Sequence, residues 1–210
     1  MADRIKKLLR SIREGHKRIS QIRDRNHARR RTIRHLERSH HPEAMVMFDS
    51  VTVAEIPKSA PAVAGYVGGS WPTYEELPAA FPHAHLMSIA VSSAHKALCL
   101  DVEPGDATNA SAIDWARREL AARPMIWVYT SVSNVDALLA ALRSSGIDLS
   151  RVLVWSAHYT FRSHLCGPSS CGECHHECDA TQWTDHSQGR NLDESIVSAQ
   201  GSRHLIPPQR

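Results

Sequence analysis

Between Met45 and Trp183 the chain repeats one device: a short, nearly uninterrupted apolar run closed by polar or turn residues. The runs fall at 46–48, 63–67, 86–91, 97–100, 125–129 and 152–155, with a weaker one at 181–183. Apolar residues on both sides of a strand are what a sheet covered on both faces requires. Two amphipathic helices are legible between the runs. One, over 111–122, carries Ile113, Trp115, Ala116 and Leu120; the other, over 133–144, carries Val135, Leu138, Leu139 and Leu142. Asn109 or Ser111 is expected to cap the first, Ser133 with Asp136 to form a capping box on the second, and Gly146 to stop it. Strand–helix–strand alternation predicts parallel pairing and an α/β fold. Only 92–96 separates the third and fourth runs, too short for a crossover helix. A regular eightfold barrel takes about 250 residues, and 45–200 is shorter. The expectation is a reduced or flattened (β/α) barrel over 45–200.

Charge divides the chain. Its 210 residues carry a net +3, but residues 1–41 hold 14 Lys/Arg against 4 Asp/Glu, and the remainder holds 11 against 18. The basic piece reads as an N-terminal α-helix in which Ile5, Leu8, Ile12, Ile19, Ile22, Ile33 and Leu36 share the a and d positions of one heptad frame, interrupted at Gly15, Asn26 and Arg29. Such a stripe suits a coiled coil, by self-association or by docking to another assembly. Its arginines would attract nucleic acid or an anionic surface through charge alone; a solvated tether is the alternative. No apolar core of 7–15 residues follows the basic start, so a secretory signal is not expected. No apolar run approaches the ~18 residues of a membrane span.

Acidic residues close the strands. Asp101-Val102-Glu103 ends the fourth run before Pro104-Gly105, and Asp49 ends the first. Residues i and i+2 of a strand share a face, so Asp101 and Glu103 point together at the strand's carboxyl end, where barrels and open α/β sheets place their sites. Crowded like charges push one carboxyl to hold its proton. A protonated carboxyl beside an ionised one is the equipment of glycosidic bond cleavage. A strand that merely stops in polar loop residues is the competing interpretation.

The ordered set Phe48-Asp49-Ser50, Asp101-Val102-Glu103, Trp155-Ser156-Ala157-His158-Tyr159, Thr181-Gln182-Trp183 and Leu192-Asp193 resembles glycoside hydrolase family 25, the lysozymes (N-acetylmuramidases) of phage endolysins and bacterial autolysins. The resemblance spans most of 45–197 and none of the basic segment. It implies a modified α/β barrel that cleaves the muramic acid–glucosamine bond of peptidoglycan with no metal in the chemistry. Glu103 then matches the general acid, Asp101 its partner, Asp49 the acid of the first strand and Asp193 the acid after the last. It implies a retaining reaction in which the substrate's own N-acetyl group can serve as nucleophile. The setting it suggests is a phage-encoded enzyme, in the host cytoplasm before lysis or carried in a virion. The alternative is a virion assembly protein with a lysozyme-like glycan-binding module and a basic helix that contacts nucleic acid or protein.

Tyr66, Trp71, Tyr129, Trp155, Tyr159 and Trp183, with His158 and Gln182, are the candidate sugar contacts; core packing is the competing role for each aromatic. The glycines of Tyr66-Val67-Gly68-Gly69-Ser70-Trp71 suggest a tight turn with Trp71 on the rim. A Cys/His-rich loop at 164–178 interrupts the barrel, with Cys166, Cys171, Cys174 and Cys178 spaced C-x4-C-x2-C-x3-C and His164, His175 and His176 beside them. These suit one structural zinc, with a histidine able to replace a thiolate, or two disulfides. Cys99, alone on the strand of Asp101, reads as a buried apolar side chain.

Overall fold

The computed structural model describes residues 44–208; the basic segment 1–41 and its expected helix and coiled coil lie outside them. Eight strands close into a barrel in sequence order. They are β1 (Met45–Asp49), β2 (Ala62–Tyr66), β3 (His85–Ala90), β4 (Cys99–Asp101), β5 (Ile126–Ser131), β6 (Val152–Ala157), β7 (Ala180–Thr184) and β8 (Asp193–Val197). β1 to β7 pair in parallel, and β8 runs antiparallel to both β7 and β1. The barrel is thus reduced in helices rather than in strands. Its α-helices are the one-turn α1 (Leu77–Ala80), α2 (Asn109–Ala122), α3 (Val135–Ser144) and the one-turn α4 (Ala199–Ser202). No helix among the described residues is long and apolar enough to cross a membrane.

The eighth strand is the element that an apolar-run reading passes over. Asp193 and Ser195 alternate with Glu194 and Ile196, so two polar side chains face the barrel interior and no apolar run forms. Asp193 therefore opens β8 instead of lying in a loop beyond the last strand. The short β3–β4 link is also explained by register. Cys99 pairs with Ile89 and Leu100 with Ala90, at the far end of β3, so the returning chain climbs back only a short way and needs no helix.

The α2 cap is Thr108, whose hydroxyl accepts from the Ser111 amide while Ser111 Oγ accepts from the Thr108 amide. Asn109 instead lies inside the helix and pairs with Asn134. The expected Ser133–Asp136 capping box does not form. A 3-10 turn over Val132–Asn134 precedes α3, Ser133 bonds Ser131, and Asp136 accepts from His175. Gly146 does end α3, at φ +81°, with the Ile147 amide reaching back to the Leu142 carbonyl.

Side-chain alternation divides the core in two. Met47, Met87, Trp127, Leu153 and Trp155 fill the barrel, with Ala62, Ala64 and Ala180 opposite them giving the large rings room. Outside, α2 and α3 cover Leu100, Ile126, Val128, Val152 and Val154. The segment after β8 closes the end of the barrel where β8 finishes: Leu205 joins the interior cluster, and Gly201 lies so near the Trp127 ring that an added Cβ would stand 2.7 Å from it. The opposite mouth stays open.

Candidate active site

Inward-facing positions at the carboxyl ends of the parallel strands meet at that mouth. β1 brings Asp49, β2 Tyr66, β4 Asp101, β5 Tyr129 and β7 Gln182, while antiparallel β8 brings Asp193, its first residue. A cavity of about 440 Å³ opens here, lined among others by Tyr66, Asp101, Glu103, Tyr129, Tyr159, Gln182 and Asp193, with Trp71 at its rim.

Asp101 is buried, and its Oδ1 has no hydrogen-bond partner among the described residues. Burial, with Glu103 and Asp106 adding negative charge, pushes its pKa up to about 8. Glu103, two residues on and half-buried, is raised by burial and by the charges of Asp106 and Asp193. Both acids therefore reach the cavity, and the buried one of the pair holds its proton most firmly in the free protein.

Asp49 lies beneath the cavity. It accepts a hydrogen bond from Tyr66 Oη at 3.3 Å and faces Asp193 across the β1–β8 ladder. Burial first, then the charge of Asp193, lifts Asp49 well above the usual carboxylate range, and burial brings Asp193 to about 6. Asp49 Oδ1 has no hydrogen-bond partner among the described residues, and two carboxyls so placed resist ionising together, so Asp49, the more deeply buried, holds its proton more firmly than Asp193.

The wall beyond the acids is aromatic and hydrogen-bonded. Tyr129 Oη donates to Gln182 Oε1 at 2.7 Å, Gln182 Nε2 donates to Tyr159 Oη at 3.2 Å, and the two tyrosine hydroxyls lie 3.5 Å apart. Burial raises both hydroxyls, Tyr159 to about 12, so they stay protonated donors. On the opposite side Gly68 and Gly69 turn with φ of +77° and +75°, and a Cβ on Gly68 would fall 2.3 Å from the His95 ring. That turn carries Trp71 out to the rim, 60 % exposed.

Three residues expected in the cleft lie elsewhere. Trp155 faces inward but one layer lower, where it is 1 % exposed, donates to Ser195 Oγ at 3.0 Å and meets Tyr129 edge-on. Trp183 lies where the β7–β8 register shifts between Gln182 and Thr184, is half-buried and is not among the residues lining the cavity. His158 follows the end of β6 and turns its Nδ1 to Cys166 Sγ and His164 Nε2. Asp106, conversely, lines the cavity without having been singled out from the sequence. Its signal was the turn Glu103-Pro104-Gly105-Asp106: Pro and a glycine at φ +103° at the turn centre let the Asp106 amide reach the Glu103 carbonyl, which places the two acids side by side.

No family model matches the chain, and no curated protein matches it. Two solved structures are similar in fold. One is an uncharacterized protein of B. stearothermophilus, with a TM-score of 0.54 and 10% identity, covering 77% of this chain and 100% of that one. The other is the Clostridium perfringens spore cortex lytic enzyme SleM, with a TM-score of 0.53 and 15% identity, covering 80% of this chain and 71% of that one. At such identities the likeness is one of fold alone.

Proposed function

We propose that the cleft hydrolyses peptidoglycan, cutting between N-acetylmuramic acid and N-acetylglucosamine by general acid catalysis. One observation supports this reading: Asp101, Glu103 and Asp193, from distant parts of the chain, line one sugar-sized cavity walled by tyrosines, with Asp49 buried opposite Asp193. The motif order shared with family 25 supports it, as does the fold likeness to a protein named as a lytic enzyme of spore cortex.

Glu103, open to the cavity, protonates the leaving glycosidic oxygen. Asp101 shares its strand end and so lies on the same side of the bond, unsuited to attack from the opposite face. The neighbouring N-acetyl carbonyl therefore closes on the anomeric carbon, and Asp101 orients the amide and stabilises the oxazolinium ion. Water then opens that ring and gives its proton to Glu103, with retention of configuration. In the free protein the proton of the pair rests on Asp101. An amide N–H donated to Asp101 favours its ionised form, and a sugar covering Glu103 favours the protonated form there, so substrate binding moves the proton to the acid that uses it. Tyr66, Trp71, Tyr129, Tyr159 and Gln182 offer ring faces and hydrogen bonds to the glycan.

The test is release of reducing ends from purified cell walls between about pH 5 and pH 8, wild type against Glu103→Gln. Activity in the wild type and its loss in the variant support the reading. Walls left intact by both proteins would end it.

A further inference from the structure

The β6–β7 connection, residues 158–179, contains neither helix nor strand, yet three of its cysteines are buried. Cys166, Cys174 and Cys178 pack in the same cluster as Val152, Val154, Leu138 and Leu139, so the loop takes the place of a covering helix outside β6. Apart from Leu165 and these cysteines it has little apolar material with which to hold such a shape.

The heteroatoms converge. His158 Nδ1, Cys166 Sγ and Cys171 Sγ lie within 4.8 Å of one another. His158 Nδ1 is 3.2 Å from Cys166 Sγ, and Cys174 Sγ is 4.0 Å from Cys178 Sγ. The chain ends of the loop are pinned together as well, by the Cys178 amide on the Cys166 carbonyl and the Cys166 amide on Thr181 Oγ1. The histidines inside the cysteine motif do not take part in this way. His175 is exposed and bound to Asp136, and His176 offers only its carbonyl, to Cys174 and Cys178. The imidazoles turned to the thiols are instead His158, at the end of β6, and His164: His158 Nδ1 lies 3.0 Å from His164 Nε2, and His164 Nε2 lies 3.4 Å from Cys166 Sγ. Cys166 is wholly buried, which excludes it as a nucleophile toward any glycan or peptide.

We infer that residues 158–178 form a structural zinc site in which His158, Cys166 and Cys171 are ligands and the fourth is His164, whose Nε2 lies 3.4 Å from Cys166 Sγ, or a thiolate of the neighbouring Cys174–Cys178 pair. The ion fastens the loop to the end of β6. His158 is followed directly by Tyr159, whose hydroxyl bonds Gln182 in the cleft wall, so the metal also fixes that wall. This site stands whether or not the cleft cleaves glycan.

The full chain, purified without chelator from zinc-supplemented medium, is expected to carry one zinc by elemental mass spectrometry. Cobalt in its place should give the visible absorption bands of a tetrahedral thiolate site. His158→Ala and Cys171→Ser should each weaken zinc binding by more than about 100-fold, while Cys99→Ser, on the far strand, keeps it. Titrating the wild-type thiols with a mercurial while following released zinc gives the same answer without a variant. Hydrogen exchange in 158–179 should rise on zinc removal while β1–β5 stay protected. A metal-free protein about 4 Da lighter than the reduced chain, showing two disulfides, would overturn the site. Full zinc retention in His158→Ala would overturn its ligand set, and unchanged exchange on zinc removal its structural role.

Discussion

Asp49 and Asp193 are directly opposed across the antiparallel β1–β8 ladder, and burial with the charge of Asp193 lifts the pKa of Asp49 well above the usual carboxylate range. A parallel barrel closed by one antiparallel strand makes this pairing available, because β8 starts at the mouth where β1 ends. The pair sits under a cavity to which Asp101 and Glu103 add two further acids.

Stability should therefore fall as pH rises. Carboxyls whose folded pKa lies above the unfolded value of about 4 bind more protons in the folded protein, so their contribution is whole below about pH 4 and is lost as pH climbs through the folded value. That value is about 6 for Asp193 and about 8 for Asp101. The thermal midpoint by calorimetry is expected to drop between pH 5 and pH 8. Asp101→Asn should flatten the slope and stabilise the protein at about pH 8 by on the order of a few kcal/mol. Parallel curves for the two proteins would contradict the buried, protonated Asp101.

Glu103→Gln is expected to lower kcat by about 100- to 10,000-fold with little change in thermal midpoint, because Glu103 is half-exposed to the cavity. Asp101→Asn should lower kcat while glycan binding persists. Steady-state rates and isothermal titration with a non-cleaved oligosaccharide separate the two effects.

The tryptophans should part company. Trp71→Ala, at an exposed rim position, is expected to change stability by less than about 0.5 kcal/mol and to raise KM. Trp155→Ala empties a buried site and cuts its bond to Ser195, which should cost about 3–5 kcal/mol. Urea unfolding beside a binding measurement decides between the two assignments.

The helix caps give a cleaner contrast still. Thr108→Ala removes a reciprocal cap from α2 and should cost about 1 kcal/mol. Ser133→Ala removes only a solvent-exposed hydroxyl pair and should cost almost nothing. Equal losses in denaturant unfolding would place the cap elsewhere.

The residues alone pointed to an α/β fold, the seven strands with apolar runs, both long helices and the acids at strand ends, because burial imposes a hydrophobic pattern that local sequence displays; that eight strands close a full barrel was decided by the tertiary structure. Tertiary structure decided what depends on pairing, depth and direction. Trp155 and Tyr129 are direct partners across β5–β6 and both face inward, yet only Tyr129 lines the cavity, because strands tilted about a barrel axis carry paired residues to different heights. Trp183 adjoins Gln182, yet the β7–β8 register shifts there and Gln182 alone of the two lines the cavity, a break in pairing with strand β8 that local sequence does not display. His158 lies next to Tyr159, yet the chain leaves β6 between them, sending one side chain toward the cysteines and the other into the cleft. The eighth strand has no apolar run because Asp193 and Ser195, two of its inward residues, are polar: Asp193 stands at the open mouth opposite Asp49, and Ser195 accepts a hydrogen bond from Trp155 below it.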